Sequence, residues 1–390
     1  MYKIRTYNTI SAQGLDKFSR EHYEVASDIP TPDAVMLRSH VLKPEELPSS
    51  VCAIGRAGAG TNNIPVSYCT EKGVVVFNSP GANANAVKEL VLTGMLLSSR
   101  GIVEGMMYVN GLDKSMDAKA MSTLLEAEKK RFKGNEIQGK TLGVVGLGAI
   151  GSLVANMALN LGMDVLGYDP ALSVEAAWRL PSAVQRMENL ATLMGRADFI
   201  TLHLPMIPAT EHLINADMLA LVKPGARLLN FAREGVIDTQ AVINSLDRQQ
   251  LGRYICDFPT PALLNRNDVI AMPHIGASTK EAEDNCAMMV ANQLKAFLED
   301  GNIVNSVNFP GAVLERNDGV RLTISNTNVP KILSSVLVLL AEANINVVDM
   351  LNKSRQDIAY NIIDIDCAPS GELLNQIRDL QGVITVRLIA

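Results

Sequence analysis

Short apolar runs alternate with stretches of helical periodicity along most of the chain, the pattern of successive βαβ units laid on a parallel sheet. Ala34-Val35-Met36-Leu37, Val51-Cys52-Ala53-Ile54 and Val74-Val75-Val76-Phe77 predict strands of a first domain. A helix is expected from Ala84 to Ser99, with Ala86, Leu90, Thr93 and Leu97 on one face. The Ala-, Glu- and Lys-rich stretch 117–133 predicts a second helix whose surface suits packing between subunits. From Thr141–Val145 the alternation resumes, with strands at Leu228-Leu229-Asn230-Phe231 and Val269-Ile270-Ala271-Met272. An amphipathic helix over 280–300 then returns the chain to the first domain. Asn302–Asp318, rich in Asn, Gly and Pro, predicts a linker. After it come a strand (Arg321–Ser325), a helix (Val329–Ala343), two strands (Val347–Asn352, Ala359–Asp366), a helix (Gly371–Leu380) and a strand (Val383–Leu388), the ferredoxin-like order βαββαβ.

A chain of 390 residues is too long for one ordinary core. The pattern divides it into a discontinuous domain of residues 1–85 and 283–310, an inserted domain of 86–282 and a tail of 318–390. The expected class is α/β: two Rossmann-like, doubly wound parallel-sheet domains followed by the ferredoxin-like tail. A net charge of -6 weighs against nucleic acid and against an anionic membrane surface as partners. No run of 18 apolar residues and no charged-then-apolar leader is present, so a cytoplasmic protein is expected. The scattered cysteines Cys52, Cys69, Cys256, Cys286 and Cys367 form no CxxC pair; reduced, buried thiols and no metal site are expected.

Gly146-Leu147-Gly148-Ala149-Ile150-Gly151 follows the strand Leu142–Val145 and opens a helix. In that context the first glycine permits the tight turn, the second admits a pyrophosphate and the third lets helix and strand approach. The phosphates would lie on free N–H groups at the helix N-terminus. A second strand, Val165–Tyr168, ends in Asp169, whose carboxylate suits ribose hydroxyls and repels a 2′-phosphate. NAD is therefore expected as cofactor, the alternative being a glycine-rich turn without a ligand. His203 and Pro205, after a further strand, are expected to line the cofactor cleft, with Ala232 beside them. Ala232-Arg233-Glu234-Gly235 and Pro273-His274-Ile275-Gly276 also follow strands, where open α/β sheets bind ligands. Arginine there suits a carboxylate and imidazole suits proton transfer; a surface ion pair and a structural histidine are the alternatives. His22, His40 and His212 stand in no motif.

These segments, with Gly55-Arg56-Ala57-Gly58 and the run Pro273–Thr279, resemble the D-isomer-specific 2-hydroxyacid dehydrogenase family, and within it the branch that oxidises 3-phosphoglycerate to 3-phosphohydroxypyruvate. The resemblance spans most of residues 30–300 and implies that Arg233 binds the substrate carboxylate, His274 is the acid/base and Asp257 lies near the nicotinamide carboxamide. It further implies that Arg38 and Arg56 help hold the acidic substrate and its phosphate, with Ala57 and Gly58 also at the substrate. The chain departs from the family at Pro261, which stands about where a glutamate normally pairs with the catalytic histidine. Without it His274 loses an orienting partner, and three alternatives stand: Asp257 substitutes, a carboxylate from elsewhere does, or none does and the enzyme is slow.

The tail resembles an ACT domain, a small ligand-sensing module, which implies L-serine as effector at Asn326, Asn328 and Asn346, and a homodimer or homotetramer. Asparagines that merely cap turns are the alternative for these three, and Lys331 departs from the small or neutral residue the module usually keeps there. Two rival functions follow from the same residues. One is dehydrogenation of an unphosphorylated acid such as glycerate, lactate or 2-hydroxyglutarate. The other is a non-catalytic NAD(H)-sensing protein, as in relatives that act as corepressors.

Overall fold

A computed structural model describes residues 1–317 and 319–389, and of Glu175 the backbone alone; Asp318 and Ala390, the ends of the expected linker and tail, lie outside the described residues. The chain forms two compact units, Met1–Asn83 with Thr279–Ala390, and Ala84–Ser278.

The first unit opens with five parallel strands, β1 (Tyr2–Thr6), β2 (Tyr23–Ala26), β3 (Ala34–Leu37), β4 (Ala53–Arg56) and β5 (Val75–Phe77), in the order β2-β1-β3-β4-β5. β1 and β2 were not among the expected strands. They are peripheral, and only Ile4 of β1 and Tyr23 of β2 are buried, so no apolar run marks them. The helix Lys280–Asp300 packs on this sheet through Ala287, Val290, Ala291, Leu294 and Phe297.

In the second unit seven parallel strands follow: β6 (Thr141–Val145), β7 (Asp164–Tyr168), β8 (Gln185–Arg186), β9 (Phe199–Leu202), β10 (Ala226–Asn230), β11 (Leu251–Cys256) and β12 (Val269–Ala271). Their order, β12-β11-β10-β9-β6-β7-β8, reverses direction between β6 and β9, which makes a crevice at the carboxyl ends of those two strands. Alternate residues fill the two faces, Leu228 on one and Leu229 on the other. The helix Ala84–Ser99 buries Ala86 as expected, with Val87, Val91, Gly94, Met95 and Ser98; Leu90 and Leu97 are partly buried at the edge of this face and Thr93 is exposed. A helix unmarked in the pattern, Ile102–Asn110, precedes Ala118–Glu128, which ends in a 3-10 turn at Lys129–Phe132. Neither of these two helices buries a residue.

The tail comprises β13 (Val320–Thr327), β14 (Val347–Arg355), β15 (Ile358–Ile365) and β16 (Val383–Ile389), antiparallel in the order β14-β15-β13-β16, with helices Ile332–Glu342 and Gly371–Arg378. This is the expected ferredoxin-like arrangement. One sheet face packs Leu322, Ile324, Ile363 and Ile365 beneath the helices. The other places Tyr360 and Ile362 in the core that contains Ile4, Phe297 and Phe309. Residues 302–317 therefore do not behave as a linker: Ile303, Phe309 and Ala312 are buried, because three well-spaced apolar residues suffice to anchor a polar stretch.

The junction is held by arginines. Arg321, fully buried, spends all five donors: Nε and Nη2 on Asp364 at 2.6 and 2.8 Å, Nη1 on the carbonyls of Asp300 and Leu314, and Nη2 on that of Glu315. Arg387 donates to the carbonyls of Phe297 and Leu298, and Arg316 to that of Glu299. The helix Lys280–Asp300 thus ends with its orphan carbonyls satisfied by cations, which also suits the negative end of its dipole. Among the described residues no single helix is long and apolar enough to cross a membrane. Cys367 is exposed, contrary to expectation; Cys69, Cys256 and Cys286 are buried.

Removing Arg321 leaves Asp364 buried without its counter-ion, a change that costs about 3–5 kcal/mol in comparable sites. Arg321→Ala is expected to lower the melting temperature of the first unit and speed amide exchange in both β13 and the last turn of Lys280–Asp300. A melting curve and exchange pattern like those of the parent would contradict this.

Candidate active site

Gly146 turns the chain out of β6 with φ at +91°, and a side chain there would meet the His203 carbonyl at 2.5 Å. A Cβ on Gly151 would stand 1.9 Å from the Gly146 carbonyl, so only glycine lets the helix Ala149–Asn160 start so close to β6. Gly148, by contrast, faces open space and caps that helix with no side-chain hydrogen bond, leaving the first N–H groups clear for an anion. Asp169 closes the loop from the side: its Oδ2 accepts from Leu147 N at 2.8 Å and its Oδ1 from Ala171 N at 3.0 Å. Each carboxylate oxygen keeps acceptor capacity for a ribose hydroxyl.

Across the crevice, His203 follows β9. Its Nε2 meets Thr201 Oγ1 at 2.9 Å, and its Nδ1 is buried without a partner. Burial pushes its pKa down to about 3, so the ring is neutral. A buried nitrogen with an unmet hydrogen bond, an open glycine and a half-buried carboxylate all border one crevice, and they fit a dinucleotide.

The two candidate reacting side chains stand on the loops after β10 and β12. Asn230, wholly buried, fixes the first loop by donating to the Arg233 carbonyl at 2.9 Å and accepting from Ala232 N at 3.1 Å. Arg233 is exposed; one guanidinium N–H returns to the Ala232 carbonyl, and the fork lies over the Phe258 ring at 5.5 Å. Phe258 also neighbours His274, with ring centroids 4.4 Å apart. A single aromatic side chain therefore touches both. Sequence reasoning gave no role to Phe258, Thr201 or Asn230, although Asn230 opens the motif that carries Arg233.

Asp257 is 2% exposed, and both its oxygens are taken by the loop that carries the histidine: Oδ1 by Ile275 N at 2.8 Å, Oδ2 by Gly276 N at 2.7 Å. His274 itself has φ at +55°, a left-handed conformation that a non-glycine residue holds only when its surroundings impose it. Of the alternatives for the missing glutamate, this geometry does not support Asp257 on the imidazole. Asp257 holds the backbone beside His274, and among the described residues no carboxylate is hydrogen-bonded to that ring. Pro261 opens a short 3-10 turn, Pro261–Leu263.

In the first unit, Arg56 donates from Nε to the Arg38 carbonyl at 3.1 Å. Its guanidinium lies over Gly58, where a Cβ would come within 2.0 Å of Nη1, so glycine at 58 makes room for the arginine. Arg38 is paired with Glu283 at 2.8 Å. In the tail, Asn328 donates to the Gln356 carbonyl and is exposed, as is Asn346. Asn326 departs from the expected ligand role. It is buried in an amide ladder, accepting from Asn361, which in turn accepts from Asn352, while its own Nδ2 donates to the Thr327 carbonyl.

Residues 102–276 match the NAD-binding domain of the D-isomer specific 2-hydroxyacid dehydrogenases. The chain is 37% identical over 330 residues to a D-3-phosphoglycerate dehydrogenase of Synechocystis, covering 80% of this chain and 57% of that protein. It is 32% identical over 357 residues to a D-3-phosphoglycerate dehydrogenase of Haemophilus influenzae, covering 88% of this chain and 82% of the other. A solved structure of NAD+-bound 3-phosphoglycerate dehydrogenase from Entamoeba histolytica aligns with a TM-score of 0.62 at 25% identity, over 79% of this chain and 98% of that one. The chain spans little more than half the length of the Synechocystis relative.

Asparagine at 257 would turn an NH2 group toward one of two backbone donors and strand that N–H, a loss of about 1–3 kcal/mol. Asp257→Asn is expected to lower turnover about tenfold or more while leaving the pH profile of kcat in place, because the carboxylate does not touch the imidazole. A profile displaced by a full pH unit would show the two groups to be coupled.

Proposed function

The chain belongs to the D-isomer-specific 2-hydroxyacid dehydrogenase family, and from that premise we propose that it oxidises 3-phosphoglycerate to 3-phosphohydroxypyruvate with NAD. The observation that carries this reading is the placement of Arg233 and His274 against one ring, Phe258, on the NAD-binding domain.

The chemistry NAD supplies when bound is acceptance of a hydride. Gly146, Gly148 and Gly151 admit its phosphates, Asp169 takes the ribose hydroxyls, and His203 offers a neutral ring nitrogen. Arg233 binds the substrate carboxylate through the N–H groups it does not spend on Ala232. His274 accepts the C2 hydroxyl proton at a ring nitrogen as the ketone forms, and returns it in the reverse reaction. In that reverse direction Arg233 also opposes negative charge on the ketone oxygen. Beside the imidazole, where the family has a carboxylate, stands the ring of Phe258. Arg38 and Arg56, with Ala57 and Gly58 shaping the turn, receive the phosphate.

The tail serves as an ACT module. Asn328 and Asn346 remain open to an amino-acid effector, with L-serine the candidate, and Asn326 acts in the sheet beneath them. The helices Ile102–Asn110 and Ala118–Glu128 suit a homodimer: neither buries a residue, and Met106, Met107 and Val109 are exposed on the first.

The test is a panel of 2-hydroxy acids with NAD and NADP, in the parent and in His274→Ala. NAD with 3-phosphoglycerate should give the highest kcat/KM, and His274→Ala should reduce kcat by about 100-fold or more with NADH binding kept. Glycerate or lactate outperforming the phosphorylated acid, or His274→Ala retaining most of its activity, would contradict the proposal.

A further inference from the structure

The phosphate-end arginines are not equivalent. Arg56 is anchored to the carbonyl of Arg38 and lies over Gly58, so its guanidinium has a fixed seat. Arg38 instead reaches the helix Lys280–Asp300, where its Nη2 meets Glu283 Oε1 at 2.8 Å. Both side chains of that pair are about two-fifths exposed, at 39% and 42%. Water and a solute therefore have access to the contact, and such a pair is weak enough to be exchanged. One helical turn beyond Glu283 is the buried Cys286, so the carboxylate sits on the first, exposed turn of a helix that is packed from there on.

We propose that Glu283 is a specificity-determining residue: its carboxylate occupies Arg38 until the phosphate of the substrate displaces it. This rests on the reading that Arg38 and Arg56 receive that phosphate. Glu283 supplies the carboxylate that pairs with Arg38, and that pairing offsets the arginine's charge. A phosphate monoester brings about −1.5 to −2 charge at neutral pH and three acceptor oxygens, enough to balance both arginines alone. With it in place, Glu283 becomes a surplus negative charge and must release Arg38. A substrate ending in a hydroxyl gains nothing by evicting the carboxylate, so Arg38 stays on Glu283. Glu283 therefore weakens binding of phosphorylated ligands selectively, and eases departure of a phosphorylated product.

Glutamine is the apt replacement, since its amide oxygen can still accept from Arg38 without the charge. Glu283→Gln is expected to lower the KM for 3-phosphoglycerate about threefold to tenfold, leave the KM for glycerate unchanged and keep kcat within about twofold. Inorganic phosphate titrated calorimetrically into the NAD-bound enzyme should bind more tightly to Glu283→Gln by a similar factor. A KM for the phosphorylated acid that is unchanged or raised, with phosphate binding no tighter, would overturn the proposal. Arg38→Gln separates the two levels: it should raise the KM for 3-phosphoglycerate and spare that for glycerate. If it raises neither, the assignment of Arg38 to the phosphate fails, and the displacement fails with it.

Discussion

The carboxylate of Asp257, buried at the end of β11, accepts the backbone N–H groups of Ile275 and Gly276 and so decides where the loop after β12 can go. Neighbouring parallel strands end at the same edge of a sheet, but their loops have no reason to hold a common geometry unless something crosses between them. Here the crossing is made by one side chain in short charge-assisted hydrogen bonds out of water, where they are strong and costly to break. His274, the residue just before those two donors, has a left-handed backbone. Phe258, next in sequence to Asp257, stands beside both the imidazole and the Arg233 guanidinium. Anchor, ring and reacting groups thus come from three consecutive strand ends, β10, β11 and β12.

A second constraint governs the first unit. The helix Lys280–Asp300 starts a few residues after His274 in sequence and ends on Arg387, Arg316 and Arg321. Because those arginines belong to the tail and the segment leading to it, the tail sheet shares a core with β1 and with the helix that carries Glu283. An effector on the tail would act through a packed helix rather than through a flexible tether. Its influence on catalysis still requires two arrangements of these elements that bind the effector unequally.

What could be read from sequence follows the physics of each feature. The glycines at 146 and 151 were legible because each meets a local steric demand that no other residue satisfies. The arrangement of the tail was legible because its strands and helices are short, well separated and consistently patterned. Phe258 was not, since its role arises from contacts with residues on two other loops and a phenylalanine carries no motif of its own. Asn326 was misjudged because its environment is set by the register of β13 on β15, which brings Asn361 to its amide. The stretch 302–317 looked like a tether by composition, but burial of Ile303, Phe309 and Ala312 outweighs its polar residues. The helix Ala84–Ser99 is apolar on more than one side, so periodicity alone did not separate Val87 and Val91 from Leu90 and Leu97.

The account stands or falls on hydride removal from C2 of the phosphorylated acid by groups assembled around Phe258. The most direct measurement supplies 3-phosphoglycerate deuterated at C2 with NAD and follows both products by mass spectrometry and NMR. Deuterium should appear at C4 of the nicotinamide ring on one face, in step with 3-phosphohydroxypyruvate. Reduced nucleotide free of deuterium, or no reduced nucleotide at all with the full-length enzyme, would contradict it.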